Sequence, residues 1–342
     1  MRGPRALGAA ARARSLGRLR PRSSGAEAAR AAGIAGPARS ALQDAATAEL
    51  VSALEGRGIP SILLKGPSID RLLYGGNGRS YVDSDVLVAP EGIEPARAEL
   101  RKLGFSTYIP PYGEAPELEH GEAWIRGDSD VMVDLHWTLQ GVGVAPAELW
   151  RVLADATERM VVARTEVTVL GSEGIAFHVA LHAAHHGPAN PRSIRDLDQA
   201  LSVLDARTWR AASALAARLG ATELFAAGLR LLPSGRSLAA DLGLPDTQSV
   251  QTVLLTRSQT TLTFGIERLA QTPGLRGRLA LVRRELLPPP AVMREWWPPA
   301  ARGRVWLLGG YLWRSAWLLV HAGPALIAWR RAVRDSRRGA RT

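Results

Sequence analysis

The stretch that decides the fold is ILLKGPSIDRLLYGGNGRSYVDSDVLVAP, which runs from Ile62 to Pro90. Its first apolar run, SILLK from residue 61, predicts a short buried strand. Proline is favoured in the first turn of a helix, so PSIDRLLYG predicts a helix that begins at Pro67. The run YVDSDVLV then predicts a second strand. The stretch therefore predicts a strand, a helix and a strand in succession.

Two aspartates, Asp83 and Asp85, lie in the second predicted strand. Side chains alternate across a strand, so both carboxylates point to one face and Ser84 points to the other. Ionised carboxylates this close repel each other unless a cation neutralises them. A hard divalent ion with oxygen ligands, usually Mg²⁺, is the simplest solution, with Mn²⁺ as an alternative. The competing interpretation is a strand end at the surface with two solvated acids.

A third carboxylate, Asp134, stands within the apolar run VMVDLHW and shares a strand face with His136. If this strand lies beside the first, three acids converge. Three acids around two divalent ions suit in-line phosphoryl or nucleotidyl transfer. We therefore predict that Asp83, Asp85 and Asp134 are catalytic metal ligands. We predict that His136 lines the same cleft, where it would orient an acceptor or act as a base.

Lys65 and Gly66 lie where the first strand meets the following helix. A strand, a glycine and a helix N-terminus form a geometry that binds phosphate through backbone N–H groups. A lysine adds a point charge, and Lys65 is one of only two lysines among the 43 basic residues. We predict that Lys65 and Gly66 bind a nucleoside triphosphate. Arg79 is a further predicted phosphate contact, and its alternative is an exposed loop charge.

Histidines at positions 178, 182 and 186 recur on one face of a predicted helix. We predict that His182 and His186 line the cleft or contact the acceptor. Two alternatives remain open for this face. The histidines could lie at a domain interface, hydrogen-bonded to Asp196 and Asp198, or they could form a zinc site.

The charge of the chain is concentrated at its ends. Of the net +11, residues 1–40 carry nine Arg against one Glu, and residues 326–342 carry six Arg against one Asp, which leaves −2 for the 285 residues between them. A near-neutral body argues against a nucleic-acid acceptor. We predict that residues 1–40 are a disordered basic extension, although their composition also suits an organellar transit peptide. The absence of cysteine excludes disulfides and thiolate sites.

The remaining pattern predicts an α+β class. A helix over residues 40–58 precedes the first strand, and later segments predict two hairpins, EAWIRG with VMVDLHWTL and MVVA with EVTVLG. From Ser172 to about Gln271 the pattern is mostly helical. We therefore predict an α+β domain over residues 41–170, a helical domain over 171–285 and a Pro-rich linker over 286–304.

We predict that residues 305–342 form a Trp-rich hydrophobic helix with a basic tail. Its apolar stretch is long enough to span a bilayer, but Arg314 near its middle argues against that. Trp306, Gly310, Trp313, Trp317 and Val320 fall at helical spacing and predict an apolar stripe that packs on the body or lies at an interface. We expect a cytoplasmic protein, with peripheral contact to a membrane or a partner through this segment as the alternative.

The motifs LLKG, LLYGGNGRSYVDSDVLV, VDLHW, ALHAAHHG and RSIRDLDQAL, over about residues 45–205, resemble the uncharacterised nucleotidyltransferase family of the DNA polymerase β-type superfamily. The resemblance implies a polymerase β-like palm, a mixed sheet with helices, followed by a helical domain. It implies that Asp83, Asp85 and Asp134 bind two Mg²⁺ with the triphosphate, and that Lys65 and Gly66 take the role of the glycine turn. Two departures are Lys-Gly where many superfamily members have Gly-Ser, and Ser84 where the family has an aliphatic residue. Since Ser84 faces away from the metal, we expect little effect on catalysis.

The residues and the resemblance together predict a Mg²⁺-dependent nucleotidyltransferase. It would move a nucleoside monophosphate from a nucleoside triphosphate to a hydroxyl or phosphate of a small-molecule or peptide acceptor, as a tailoring enzyme does. Alternatives are a toxin-like nucleotidyltransferase acting on tRNA or protein, a non-catalytic nucleotide-binding protein of the same fold, and a membrane-associated assembly factor.

Overall fold

The computed structural model describes residues 36–76, 79–108, 120–127, 129, 131–257 and 260–339. The predicted disordered extension, residues 1–40, lies outside the described residues except for its last five. Those five residues begin the first helix, which starts at Gly36 rather than at Ser40.

In the described residues, seven strands form one sheet. They are β1 (Ser61–Leu63), β2 (Asp83–Val88), β3 (Ser106–Thr107), β4 (Gly121–Arg126), β5 (Val131–His136), β6 (Thr157–Val162) and β7 (Thr165–Leu170). Their order is β3-β4-β5-β2-β1-β7-β6. The pairs β2–β5 and β1–β7 are parallel and the others are antiparallel, so the sheet is mixed. Both predicted hairpins, β4–β5 and β6–β7, are confirmed.

Within the described residues, four α-helices alternate with the strands of the sheet along the chain. They are α1 (Gly36–Glu55), α2 (Pro67–Tyr74), α3 (Ile93–Lys102) and α4 (Pro146–Ala154). A helical region follows, made of α5 (Ser172–His186), α6 (Pro191–Val203), α7 (Ala206–Arg218), α8 (Thr222–Leu229), α9 (Pro233–Asp241), α10 (Val250–Thr256), α11 (Thr261–Gln271) and α12 (Leu275–Leu286). The predicted α+β class, a mixed sheet followed by helices, is confirmed.

Two buried clusters lie on opposite faces of the sheet. Val86 and Val88 of β2 belong to a cluster that contains residues of α1 and α3, such as Leu54. Leu87, between them, belongs to the other cluster, which joins the sheet to helices α4–α9. Since side chains alternate along a strand, Asp83 and Asp85 share the face of Leu87. The carboxylates therefore face the helical region, with which the sheet shares a continuous core.

The segment predicted as a Pro-rich linker contains a short helix, α13 (Pro290–Trp296), and a 3₁₀ turn (Pro298–Arg302). The last helix, α14 (Arg304–Gly339), packs on α10, α11 and the segment before it. The prediction that the apolar stripe packs on the body is wrong at Val320, which is 73% exposed. At Gly310 the stripe does pack, since an added Cβ there would meet Trp297 and Met293. Within the part of the chain that the structure describes, no helix combines the length and the hydropathy needed to cross a bilayer.

Candidate active site

The two strands that carry the predicted metal ligands are neighbours. In the parallel pair β2–β5, Asp85 stands directly beside Asp134. His136, two residues further along β5, places Nε2 3.1 Å from Asp85 Oδ1. One ligand atom from each of Asp85, Asp134 and His136 lies within 4.8 Å of the others. The condition set by the sequence, that the two strands lie side by side, is therefore met.

Lys65 occupies the same face. Its Nζ lies 3.1 Å from Asp85 Oδ2 and 3.6 Å from Asp83 Oδ2. The lysine side chain is 13% exposed and that of Asp85 is 7% exposed, whereas that of Asp83 is 31% exposed. Asp83 thus lies at the open edge of the cluster, and Asp85 lies inside it.

The electrostatics of the cluster follow from burial and proximity. Burial alone would raise the pKa of Asp85, but Lys65 and His136 outweigh it and hold that pKa well below its usual range. Asp134 lacks such a close cation. Burial, reinforced by the carboxylates of Asp85 and Asp83, raises its pKa to about 7. Burial alone would lower the pKa of Lys65, but the carboxylates of Asp83, Asp85 and Asp134 outweigh it and raise that pKa.

The backbone between β1 and α2 depends on Gly66. This residue precedes the helix at Pro67 with φ +84° and ψ −118°, a conformation that side-chain-bearing residues rarely adopt. Gly66 is the residue immediately before the N-terminus of α2, and Lys65 precedes it in the chain. The predicted sequence of strand, glycine and helix N-terminus is therefore present at the edge of the carboxylate cluster.

Ser84 points away from the carboxylates, as the alternation predicts. Its hydroxyl accepts a 2.8 Å hydrogen bond from Gln43 Nε2 and lies 2.5 Å from Thr47 Oγ1, both on α1. Gln43 Nε2 also donates to the Met132 carbonyl on β5 at 2.7 Å. Gln43 therefore joins both site strands to α1 on the face opposite the carboxylates.

Arg79, predicted as a phosphate contact, is buried in an ion pair with Asp196 on α6. Its Nε lies 3.0 Å from both carboxylate oxygens, and Tyr74 Oη donates to the same carboxylate at 2.9 Å. The alternative of an exposed loop charge is wrong, since its side chain is 7% exposed. Arg79 Nη1 is also buried, with no hydrogen-bond partner among the described residues.

The histidines of α5 lie beside the carboxylate cluster. His186 interacts electrostatically with Lys65, Asp85 and Asp83, and burial lowers its pKa to about 4. Burial also lowers the pKa of His182 well below its usual value. Their rings are in edge-to-face contact, 4.4 Å apart between centroids. The structure thus brings both predicted cleft histidines to the site.

Of the two aspartates in the alternative interpretation, Asp196 accepts hydrogen bonds from Tyr74 and Arg79, and no bond among the described residues joins it to these histidines. His178, on the same helix face, is buried with neither ring nitrogen hydrogen-bonded in the described structure. Among the described residues, Asp85, Asp134 and His136 form a group that could hold a metal ion, and the histidines of α5 do not form one.

Two further neighbours of the site, His120 and Gly121, could not be recognised from the sequence pattern. His120 stacks on His136, with ring centroids 6.0 Å apart. The next residue, Gly121, pairs with His136 across β4–β5, and a Cβ there would meet His136 Nδ1 at 2.8 Å. A glycine is therefore required for His136 to adopt its position. The sequence showed Asp196 as an acid that follows the histidine helix, but it did not show that Asp196 pairs with Arg79.

Solved structures with some similarity to this chain are nucleotidyltransferases. The antibiotic-resistance factor ANT(2″)-Ia has 19% identity and a TM-score of 0.39 over 53% of this chain and 95% of that chain. The lincosamide antibiotic adenylyltransferase LnuA has 12% identity and a TM-score of 0.31 over 44% of this chain and 91% of that chain. A nucleotidyltransferase-like protein from Paracoccidioides brasiliensis has 15% identity and a TM-score of 0.38 over 58% and 91%. No curated protein matches the chain significantly.

All three TM-scores are below 0.5, so the assignment rests on the sequence. The model of a family described as uncharacterised nucleotidyltransferase matches residues 12–234, which is more than half of the chain and includes every site residue discussed above. The chain therefore belongs to this nucleotidyltransferase family.

Proposed function

We propose that the protein is a Mg²⁺-dependent enzyme that moves a nucleoside monophosphate from a nucleoside triphosphate to a hydroxyl or phosphate of a small-molecule acceptor. The observation that carries the proposal is the adjacency of Asp85 and Asp134 on parallel strands, with Lys65 and Gly66 on the same face. A buried pair of carboxylates costs stability unless a cation compensates it, so its presence favours a catalytic role.

The donor set fits a divalent ion. Asp85 and Asp134 supply carboxylate oxygens and His136 a ring nitrogen, and Asp85 Oδ2 has a cation, Lys65 Nζ, 3.1 Å away. Asp83, at the open edge, would complete the set from the solvent side. When bound, Mg²⁺ would neutralise charge on the triphosphate and activate the attacking hydroxyl. Mn²⁺ prefers similar ligands and is the natural substitute.

The chain's own residues would hold the triphosphate at the N-terminus of α2. Pro67 has no N–H, so the backbone donors of the first turn would be those of Ser68 and Ile69, and the helix dipole there favours an anion. Lys65 would exchange its carboxylate partners for phosphate oxygens, because a bound divalent ion would compensate Asp83 and Asp85 in its place. Arg79 would contribute through Nη1, while Asp196 fixes its guanidinium.

The acceptor would enter over the histidine face of α5. Neutral imidazoles both donate and accept hydrogen bonds, so His182 and His186 suit hydroxyl-bearing acceptors. The −2 charge of residues 41–325 does not suit a nucleic acid. One of the similar structures is ANT(2″)-Ia in complex with adenylyl-2″-tobramycin, and another is lincomycin-bound LnuA. Small hydroxyl-bearing compounds of these kinds are therefore suitable first acceptors to test.

Calorimetric titration tests the proposal. ATP, GTP, CTP and UTP are titrated into the wild type and into the Asp83→Ala/Asp85→Ala double variant, each with and without Mg²⁺. We expect one nucleotide to bind in a metal-dependent way, and that binding to be lost in the double variant. Ser84→Ala, which changes the intervening residue on the opposite face, is the matched control. Folded wild type that binds none of the four would contradict the proposal.

A further inference from the structure

Helix α14 has two opposite faces. One face is buried against α10, α11 and the segment before α14, at Gly310, Arg314, Ala325 and Ala332. Half a turn away, at about 100° of rotation per residue, a second face recurs every three or four residues. Its large side chains are apolar and 53–83% exposed, and they are Val305, Leu308, Leu312, Leu319 and Ile327. We call this second face the exposed stripe of α14.

A further exposed apolar face lies on α12, which contacts α14. None of the twelve residues of α12 is buried. Leu275, Leu279 and Val282 are spaced by four and three residues, so they share one face of the helix, and they are 72%, 59% and 38% exposed. Of the sixteen large apolar side chains exposed in the described residues, twelve lie in residues 275–327. Such a concentration marks a surface that binds another molecule or a membrane.

The charge of the chain divides at the same place. Residues 36–271 contain 21 basic residues against 28 acids, a net of −7, whereas residues 272–339 contain thirteen arginines against three acids, a net of +10. Arg330, Arg334 and Arg337 are exposed and continue the spacing of the exposed stripe beyond Ile327. Helix α12 adds three exposed arginines, Arg276, Arg278 and Arg283. The region that exposes apolar side chains is therefore also the basic region of the described chain.

This charge decides between two occupants of the surface. A second copy of the chain could cover the exposed stripe only with its own C-terminal helices, because the described residues before α12 expose only four large apolar side chains. That contact would bring together two regions of +10, which repel each other. A bilayer with anionic lipid instead offers acyl chains to the apolar side chains and negative charge to the arginines. Trp306 and Trp313, which are exposed beside the stripe, are also typical of a membrane interface.

We propose that α12 and the exposed stripe of α14 bind the surface of a bilayer that contains anionic phospholipid. Helix α14 lies parallel to the membrane, with the side chains from Val305 to Ile327 among the upper acyl chains. The arginines of both helices pair with lipid phosphates. The argument uses no feature of the nucleotide site, so the proposal stands or falls independently of the proposed function.

Flotation of the full chain with vesicles tests the proposal. The probes are vesicles of phosphatidylcholine alone and vesicles of an equal mixture of phosphatidylcholine and phosphatidylglycerol. We expect binding to the mixed vesicles to be about tenfold or more tighter than to phosphatidylcholine, and to weaken as the salt concentration rises. Phospholipid brominated on its acyl chains should quench tryptophan fluorescence. This quenching distinguishes insertion of the stripe from adsorption by charge alone, because Trp306 and Trp313 flank the stripe.

The apolar contribution has a matched control. Leu312→Gln/Leu319→Gln makes the exposed stripe polar, and Val161→Gln/Val203→Gln makes the same kind of change at exposed positions of β6 and α6. All four side chains are more than half exposed, so both variants should fold. We expect the stripe variant to bind the mixed vesicles about tenfold or more weakly than wild type, and the control to bind as wild type does.

The contribution of charge has its own control. Arg330→Gln/Arg334→Gln removes two exposed arginines from the basic end of α14, and Arg210→Gln/Arg236→Gln removes two exposed arginines from α7 and α9. Both variants lower the net charge of the chain by the same amount. We expect only the α14 variant to lose affinity for the mixed vesicles, by about tenfold or more.

Three results would overturn the proposal. The first is no binding of folded wild type to the mixed vesicles. The second is equal binding to both kinds of vesicle, or binding by Leu312→Gln/Leu319→Gln that equals that of wild type. The third is a dimer in light scattering that Leu312→Gln/Leu319→Gln dissociates, because a second copy would then cover the stripe.

Discussion

Lys65 Nζ lies 3.1 Å from Asp85 Oδ2, in the position where the proposed function requires a metal ion to compensate that carboxylate. The lysine and the ion therefore compete for the same charge. Without metal, Lys65 stabilises a carboxylate cluster that would otherwise repel itself. Under the proposed function, metal and nucleotide would release it to the triphosphate. This single contact accounts for a lysine in a chain whose other basic residues are nearly all arginine.

Replacing the lysine should destabilise the metal-free protein. Lys65→Met removes the ammonium group that pairs with Asp85 and Asp83, and breaking a buried ion pair on one side costs about 3–5 kcal/mol. Added Mg²⁺ should restore more of the free energy of unfolding to this variant than to the wild type, because the ion replaces the missing charge. Urea unfolding with EDTA and with Mg²⁺ measures both effects.

The other lysine of the chain is the control. Lys102 is 58% exposed and pairs with Glu99 at 2.8 Å on α3. Exposed pairs contribute about 0–1 kcal/mol, so Lys102→Met should change stability little and should not alter the response to Mg²⁺. Equal losses in the two variants would contradict the role assigned to Lys65.

Gly66→Ala should weaken nucleotide binding. Its positive φ is strained for any residue with a Cβ, at a cost of about 1–3 kcal/mol, and relief of that strain would move the N-terminus of α2. Gly58 has φ +69° and lies in an exposed turn before β1, so Gly58→Ala introduces a similar backbone strain away from the site. We expect both variants to lose stability in urea, and only Gly66→Ala to lose affinity for the nucleoside triphosphate in calorimetry. Unchanged affinity in Gly66→Ala would exclude the phosphate role.

Adjacent residues on β2 should separate stability from activity. Ser84→Ala removes hydrogen bonds to Gln43 and Thr47, which contribute about 1 kcal/mol, and should leave turnover unchanged because Ser84 faces α1. Asp85→Asn preserves the side-chain shape but removes a ligand charge, and should reduce pyrophosphate release to background. The two variants are compared by unfolding and by pyrophosphate release. If folded Ser84→Ala lost turnover, the assignment of catalysis to the face of Asp83 and Asp85 would be wrong.

Much of the site could be predicted because its pattern is local. The alternation along β2 requires Asp83 and Asp85 to share a face, and Pro67 requires a helix to begin after Gly66. The neighbour of β2 could not be predicted in this way, since the pairing with β5 joins residues far apart in the chain. Asp134 was therefore a conditional prediction, and the ion pair of Arg79 with Asp196, 117 residues away, was not predicted.

The C-terminal segment shows where local patterns mislead. Repeated prolines predict a break in helical structure, yet Pro290 occupies the first turn of α13, where proline is tolerated. Helical spacing grouped Gly310 with Val320, although only Gly310 meets Trp297. A long helix that packs on several short ones changes its contact face along its length, and a single stripe cannot describe that.

The buried histidine His178 should make stability fall in mild acid. Burial lowers its pKa to about 4, with Asp85 opposing the shift and Lys65, His136 and Arg79 reinforcing it, while His182 stacks on its ring. Unfolding restores a pKa of about 6.5, so the unfolded state binds more protons between these values and stability is lost as the pH falls from about 6.5 towards 4. Each pH unit in that window is worth about 1.4 kcal/mol for this one group.

His178→Leu, which removes the group, should therefore gain about 2 kcal/mol relative to wild type between pH 6.5 and 5 in urea unfolding. His321→Gln, at an exposed position on α14, should run parallel to wild type across the same range. Parallel curves for His178→Leu and wild type would mean that the pKa of His178 is the same in the folded and the unfolded protein, which would contradict its burial as a neutral imidazole.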